Sequence, residues 1–229
     1  MVHQRDLRLT SGERLLAATV ATPAAPTGTG VLLVHGMGSD RHANTDRAAA
    51  LAGRLGATAL AVDLGGHGDS TGRLSEVTPR QNLQDLVAAF DALAAEPGVD
   101  PALVSACGAS YGAYLSVLLT EARPVTRLVL RAPALYTDDS FDRPLGKRRR
   151  GGPGVPALRA LSRYAGPVLL VESERDEVIP PALVAAYRAA RPGIAHAVLP
   201  GASHALTNPA WRTAYTDLVV DFLGRATDC

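Results

Sequence analysis

Cysteine is nearly absent from this chain: 229 residues hold two, with one tryptophan and two methionines. Cys107 falls inside an apolar run and Cys229 is the last residue, so a disulfide framework is not expected. No Cys-x-x-Cys spacing occurs and the six histidines are scattered, which leaves no metal site to predict. Both thiols read as free, and the chain as cytoplasmic. Aromatic residues make up 4%, so the core must be built from Ala, Leu and Val. Charge of one sign is also lacking: the formal net charge is +1, with no global pull toward nucleic acid or an anionic membrane. No apolar run approaches the roughly 18 residues of a membrane span. No apolar stretch stands behind Met1-Val2-His3-Gln4-Arg5-Asp6, so no signal peptide is expected. A phosphate-cradling Gly-x-x-x-x-Gly-Lys-Ser/Thr is missing too, and no cofactor is anticipated.

What is present is ordinary globular composition, 47% hydrophobic and 20% charged, at a length that suits one domain over 1–229. Residues 7–10 and 15–21 read as a hairpin turning at Ser11-Gly12-Glu13. The continuous apolar run at 31–34 suits a strand buried on both faces, and 58–62, 102–107, 127–132, 167–171 and 195–199 read as the strands that follow. Helical spacing covers 44–55, 79–95, 111–120, 181–190 and 209–224, and Thr78-Pro79 opens the second of these. Strands alternating with helices imply an α/β fold, a doubly wound and mostly parallel sheet with helices on both faces. Ligands bind such sheets at the carboxyl ends of their strands. The stretch 137–166 breaks the rhythm and reads as a short lid or mobile insertion with one helix near 157–164. Its run Lys147-Arg148-Arg149-Arg150 reads as a solvated charge run, with attraction of an acidic substrate or partner as the alternative.

Every chemical motif lies just after a predicted strand. Gly108-Ala109-Ser110-Tyr111-Gly112 has the pattern of a nucleophile elbow, a tight strand-to-helix turn that presents a serine. Chance alone would place such a pentapeptide in roughly one chain in ten of this composition, so the elbow needs company. A serine hydroxyl needs a base to remove its proton. Of the six histidines, His204 in Pro200-Gly201-Ala202-Ser203-His204 sits between the last strand and the last helix, where it could reach Ser110. The base needs a carboxylate to fix its tautomer. Asp176 is preferred over Glu172, Glu174 and Glu177, because the next helix opens at Val178-Ile179-Pro180 and leaves Asp176 facing the site. The chain order Ser, Asp, His is the order this fold expects. The tetrahedral oxyanion of acyl transfer calls for backbone N–H donors. Tyr111, directly after the serine, and Met37, in His35-Gly36-Met37-Gly38, are the nominees. His35, Gly36, Gly38 and His67 are candidates for the substrate pocket, His35 as a brace of its loop. Asp63 to Ser70, rich in glycine, either lines the site and orders the oxyanion loop or is a plain tight turn.

Taken together, these residues resemble the α/β-hydrolase superfamily over essentially the whole chain. Within it, His35-Gly36-Met37-Gly38, Asp63-x-x-Gly66-His67-Gly68-x-Ser70, the elbow, Asp176 before Val178-Ile179-Pro180, and Gly201-Ala202-Ser203-His204 are similar to the serine aminopeptidase and cinnamoyl/feruloyl-esterase-like branch. The resemblance implies a Ser-His-Asp hydrolase without cofactor. It departs from many members at Ala113, where they carry another glycine, and in its short basic lid. The expected activity is hydrolysis of a carboxylic ester or thioester through an acyl-enzyme, with a small-molecule acyl substrate and neither nucleic acid nor membrane as partner. Acyl transfer, cyclisation or peptide cleavage by the same triad is the alternative, as is a catalytically silent binding protein. The sequence leaves the oligomeric state open, a dimer included.

Overall fold

The computed structural model describes residues 1–147 and 156–225. Eight strands form one sheet: β1 (Val2–Ser11), β2 (Arg14–Pro23), β3 (Gly28–Val34), β4 (Thr58–Val62), β5 (Val99–Ala109), β6 (Leu128–Arg131), β7 (Val168–Ser173) and β8 (Ala195–Leu199). Their spatial order is β1-β2-β4-β3-β5-β6-β7-β8. The β1–β2 and β2–β4 pairs are antiparallel and all others parallel, as expected of crossovers through helices. Among the described residues five helices stand between strands, α1 (Thr45–Leu55), α2 (Pro79–Ala94), α3 (Tyr111–Leu119), α4 (Pro156–Arg163) and α5 (Pro181–Ala190), and a sixth, α6 (Pro209–Leu223), follows β8.

The two sheet faces have separate cores. Leu33, Cys107 and Val129 meet Leu51 of α1 and Tyr215, Val219 and Phe222 of α6 on one face. Leu32, Ala106 and Leu130 meet residues of α2, α3, α4 and α5 on the other. Alternation along each strand produces this division, since successive side chains point to opposite faces. The α3 helix is buried along its whole length, so its sequence carries no polar stripe. At the start of α2, Thr78 accepts from the Gln81 N–H while the Gln81 side chain accepts from the Thr78 N–H, a closed capping box with Pro79 at the first helical position.

Strand centres fall where apolar runs predict them, but several ends do not. The hairpin extends well past 7–10 and 15–21, from Val2 paired with Pro23 to Ser11 paired with Arg14. Its added residues, His3, Gln4 and Arg5, are exposed on an edge strand, where backbone pairing rather than burial fixes the conformation. Asn44 is not helical as predicted: it closes a 3-10 turn, Arg41–Asn44, capped by Asp40, and α1 starts at Thr45.

The segment expected to be a lid holds the helix expected near 157–164, as α4, with a buried face among residues that are otherwise mostly exposed or half-buried. Ala157, Ala160 and Leu161 of α4 are buried in the same cluster as α3 and α5, and Leu145 is fully buried with them. None of the described residues in 137–166 lines the cavity beside Ser110. Arg148, Arg149 and Arg150 of the basic run, Gly151 to Gly154 and Cys229 lie outside the described residues. No helix among the described residues is long and apolar enough to cross a membrane, and no His/Cys/Asp/Glu cluster there could hold a metal.

Candidate active site

Sheet register brings the motifs together. Val34 at the end of β3 pairs with Gly108 in β5, so the loop from His35 emerges beside the residue that follows β5. On the other side Ala109 pairs with Arg131, and Arg131 with Val171. Ser173 pairs with Leu199, which sends the loops carrying Asp176 and His204 out at the same edge.

Ser110 stands at the junction of β5 and α3 with φ +51° and ψ −113°. That conformation is costly for a residue with a Cβ, on the order of 1–3 kcal/mol. Its backbone is fixed on three sides: the N–H donates to the Arg131 carbonyl at 2.8 Å, and the carbonyl accepts from Tyr114 at 3.2 Å and Ala134 at 3.1 Å. The two motif glycines make the turn possible. A Cβ on Gly108 would lie 2.5 Å from the Gly112 carbonyl oxygen, and one on Gly112 would lie 2.6 Å from the Val34 carbonyl oxygen. Strand, turn and helix approach too closely for any side chain there.

The Ser110 Oγ lies 3.2 Å from His204 Nε2, and His204 Nδ1 lies 2.8 Å from Asp176 Oδ2. Asp176 is held in turn: its Oδ1 accepts the N–H groups of Val178 at 2.8 Å and Ile179 at 2.7 Å. Burial pushes this carboxyl up, but the hydrogen bonds from His204, Ile179 and Val178 outweigh it and leave it below the usual carboxylate range. The three nearby glutamates have other work. Glu172 pairs with His196 at 3.0 Å, Glu174 accepts from the Gly201 N–H, and Glu177 accepts the His204 N–H at 3.1 Å. Glu177 therefore holds the backbone of the residue whose ring Asp176 holds.

The loop from His35 is equally constrained. His35 Nδ1 faces the Gly36 carbonyl at 2.7 Å, and its Nε2 accepts the Leu64 N–H at 3.1 Å. Burial depresses this imidazole to about 4, so it is neutral and serves as a clamp between two loops. A Cβ on Gly36 would sit 3.4 Å from the Ser110 Cβ, which shows how near this loop passes. The loop from Asp63 is itself tied down: fully buried Asp63 accepts from the backbone and guanidinium of Arg41 and from the Asp69 N–H, and Ser70 Oγ donates to the Asp63 carbonyl. Arg14 meanwhile pairs with buried Asp85, which also accepts the Gly65 N–H at 2.9 Å. Asn82 joins Asp85 to the Tyr111 hydroxyl, so the Tyr111 side chain points into the core and only its backbone faces the serine side.

A cavity of about 690 Å³ opens on Ser110 and His204. His35, Gly36 and Met37 line it, but Gly38 and His67 do not. His67 is 4% exposed, its Nδ1 lies 3.2 Å from the Gly65 carbonyl oxygen, and its ring packs 4.9 Å from that of His35, beneath the loop rather than in the cavity. Gly38, at φ +72°, serves the turn itself. The sequence reading missed the far wall: Asn44, Arg47, Arg131, Arg212 and Tyr215. A signal existed in Arg131, a cation ending the apolar run Leu128-Val129-Leu130, and in Arg47, on the same helix face as Leu51. Both residues are 8% exposed.

The family model of serine aminopeptidases, S33, matches residues 25–151. An uncharacterised protein of Mycobacterium tuberculosis is 35% identical over 185 residues, 77% of this chain and 63% of that protein. The chain thus spans under two thirds of the length of the curated relatives it matches. Among solved structures, Est1E from Butyrivibrio proteoclasticus with ferulic acid bound superposes with a TM-score of 0.75 at 17% identity, covering 95% of this chain and 97% of its own. A thioesterase domain from the curacin biosynthetic pathway gives 0.74 at 16%, covering 96% and 99%. At those identities the likeness is one of fold. The family match takes in the His35 loop, the Asp63 loop and the elbow itself, more than half of the 229 residues, and the chain belongs to the serine aminopeptidase S33 family of the α/β-hydrolase superfamily.

Proposed function

We propose that the protein is a serine hydrolase that cleaves a carboxylic ester or thioester through an acyl-enzyme. The observation that carries this reading is the continuous hydrogen-bond chain from Asp176 through His204 to Ser110 at the carboxyl edge of the sheet. In the reaction, Ser110 Oγ attacks the acyl carbonyl carbon as its proton passes to His204 Nε2. Asp176 keeps the Nδ1 proton in place and stabilises the imidazolium that forms. The N–H groups of Met37 and Tyr111 receive the carbonyl oxygen as it becomes an oxyanion, each good donor contributing about 3–4 kcal/mol. Collapse of the tetrahedral intermediate breaks the bond to the leaving alcohol or thiol, which takes the proton from His204. Water then repeats the sequence on the acyl-enzyme, releasing the acid and restoring Ser110.

The neighbours solved as a thioesterase domain and with ferulic acid bound support acyl chemistry on this frame. The family's name suggests an aminopeptidase, but a free amino terminus would meet three arginines in the cavity and one exposed carboxylate, Asp46. That balance favours esters over substrates with a cationic amine. A fluorophosphonate probe should label the wild-type protein and p-nitrophenyl butyrate should be turned over. Ser110→Ala should lose both while keeping its far-UV circular dichroism. Turnover that survives in Ser110→Ala would end this reading.

A further inference from the structure

The cavity beside Ser110 carries positive charge that no carboxylate pairs with directly, buried at Arg47 and Arg131 and exposed at Arg212, with Asp176 acting on Arg131 only through space. Arg47, Arg131 and Arg212 line it, and among the described residues none has a carboxylate oxygen within 4 Å. Their partners are neutral. Arg47 donates to the Asn44 side-chain oxygen, Arg131 to the His204 carbonyl at 2.9 Å, and Arg212 to the Leu206 and Thr207 carbonyls. Arg47 also lies 4.3 Å from the Tyr215 ring centre and Arg131 lies 5.8 Å from the same ring. Tyr215 supplies no negative charge, since burial pushes its hydroxyl far above neutral pH. Two polar atoms are left over: Arg47 Nε and Asn44 Nδ2 are buried without a partner. Asn44 is also the residue that caps α1, and its side chain makes no capping bond, so the helix start faces the cavity with its positive end uncapped by that side chain. Asp46 is the one carboxylate on the wall and is exposed. The lining therefore sets three arginines against Asp46, and Asp176 behind His204 offsets one further charge without pairing any of the three.

A buried cation without an acidic partner is costly, and two guanidiniums sharing one ring are costlier still. Guanidinium and amide N–H groups converging on one space match an oxyanion. We infer that this wall is an anion subsite and that the substrate is an ester or thioester bearing a carboxylate several bonds from its scissile carbonyl. This rests on the hydrolase reading above for the reaction, but the subsite stands on Arg47, Asn44 and Arg131 alone. An unsubstituted alkyl acyl chain would have to desolvate the same guanidiniums and give nothing back.

The test compares mono-p-nitrophenyl adipate with its methyl ester, equal in reacting bond and chain length and different in charge. Wild-type kcat/KM should favour the acid by tenfold or more, and the ratio should fall with added salt. Arg47→Met, which keeps the length of the side chain over Tyr215, should cut the ratio at least tenfold. Arg212→Gln, at the exposed rim, should cut it less and serves if Arg47→Met does not fold. A wild-type ratio of one or below overturns the inference, as does a ratio unmoved in folded Arg47→Met. Calorimetry of adipate with Ser110→Ala separates the two readings. If no ester is hydrolysed yet adipate binds and Arg47→Met weakens it at least tenfold, the subsite stands and the hydrolase reading falls. If esters are hydrolysed but adipate neither binds nor competes, the subsite falls and the hydrolase reading stands.

Discussion

Arg41 and Arg131 are both buried arginines at the carboxyl edge of one sheet, 7% and 8% exposed, yet they live in opposite electrostatic settings. Arg41 meets Asp63 and Asp69 and closes the loop that supports His35. Arg131 meets a carbonyl and lies over a tyrosine ring, and burial pushes its guanidinium below the usual arginine range. Arg14 with Asp85 repeats the first pattern, and Arg47 repeats the second. Arg127 shows a third arrangement, its guanidinium donating to the Phe222 and Arg225 carbonyls at the end of α6, where the helix dipole is negative. A charge that is matched inside the fold holds loops in place. A charge left unmatched beside Ser110 is, on the subsite proposed above, the one offered to a ligand.

Breaking the matched pair inside the site should have the largest effect. Asp176→Asn leaves His204 without the partner that fixes its tautomer, and kcat should fall on the order of 10⁴-fold with little change in melting temperature. Steady-state kinetics on p-nitrophenyl butyrate measure it, and a loss under tenfold would remove Asp176 from its role. Next comes the matched pair in the frame. Asp63→Ala strands Arg41 with one exposed acid and should cost about 3–5 kcal/mol in urea denaturation.

His35 sharpens the contrast from the neutral side. Its folded value is about 4 against 6.5 unfolded, so between those values the unfolded chain binds a proton that the folded one does not. Stability therefore rises with pH across that window and is lost on acidification from about 6.5 to 4, by up to ~3 kcal/mol. His67, also lowered chiefly by burial, acts in the same direction. His35→Asn should flatten the wild-type decline; parallel declines would show that the folded imidazole takes up its proton near the unfolded value and is not depressed. The smallest effect belongs to the unmatched set. Arg47→Met removes a buried charge with no acid to strand and should change stability by no more than about 1 kcal/mol in either direction. A loss as large as that of Asp63→Ala would erase the distinction between the two kinds of arginine.

Much of the fold could be read before any coordinates. Strand β4 and helix α5 run over the residues their patterns indicate, because Ala59 to Val62 is apolar throughout behind Thr58 and Pro181 stands in the first turn of α5. The elbow was legible because its glycines serve a steric need that no other residue meets. Within 137–166 the helix near 157–164 is legible and is α4, but an irregular, basic stretch gives no sign that Ala157, Ala160 and Leu161 will be buried with residues of α3. His67 was assigned to the pocket from the strand end it follows, but a ring two residues from a tight turn can point either way, and here it points under the loop.

Local chemistry alone therefore determined where strands are centred, where a serine must be strained and which loops share an edge, since those depend on side-chain period and turn residues a few positions apart. Tertiary structure decided which carboxylate faces His204 and which arginines lack one. Electrostatic pairing joins residues as distant as Asp176 and His204, or Arg131 and Tyr215, and is set by strand register and distances of a few ångströms that no run of neighbouring residues encodes.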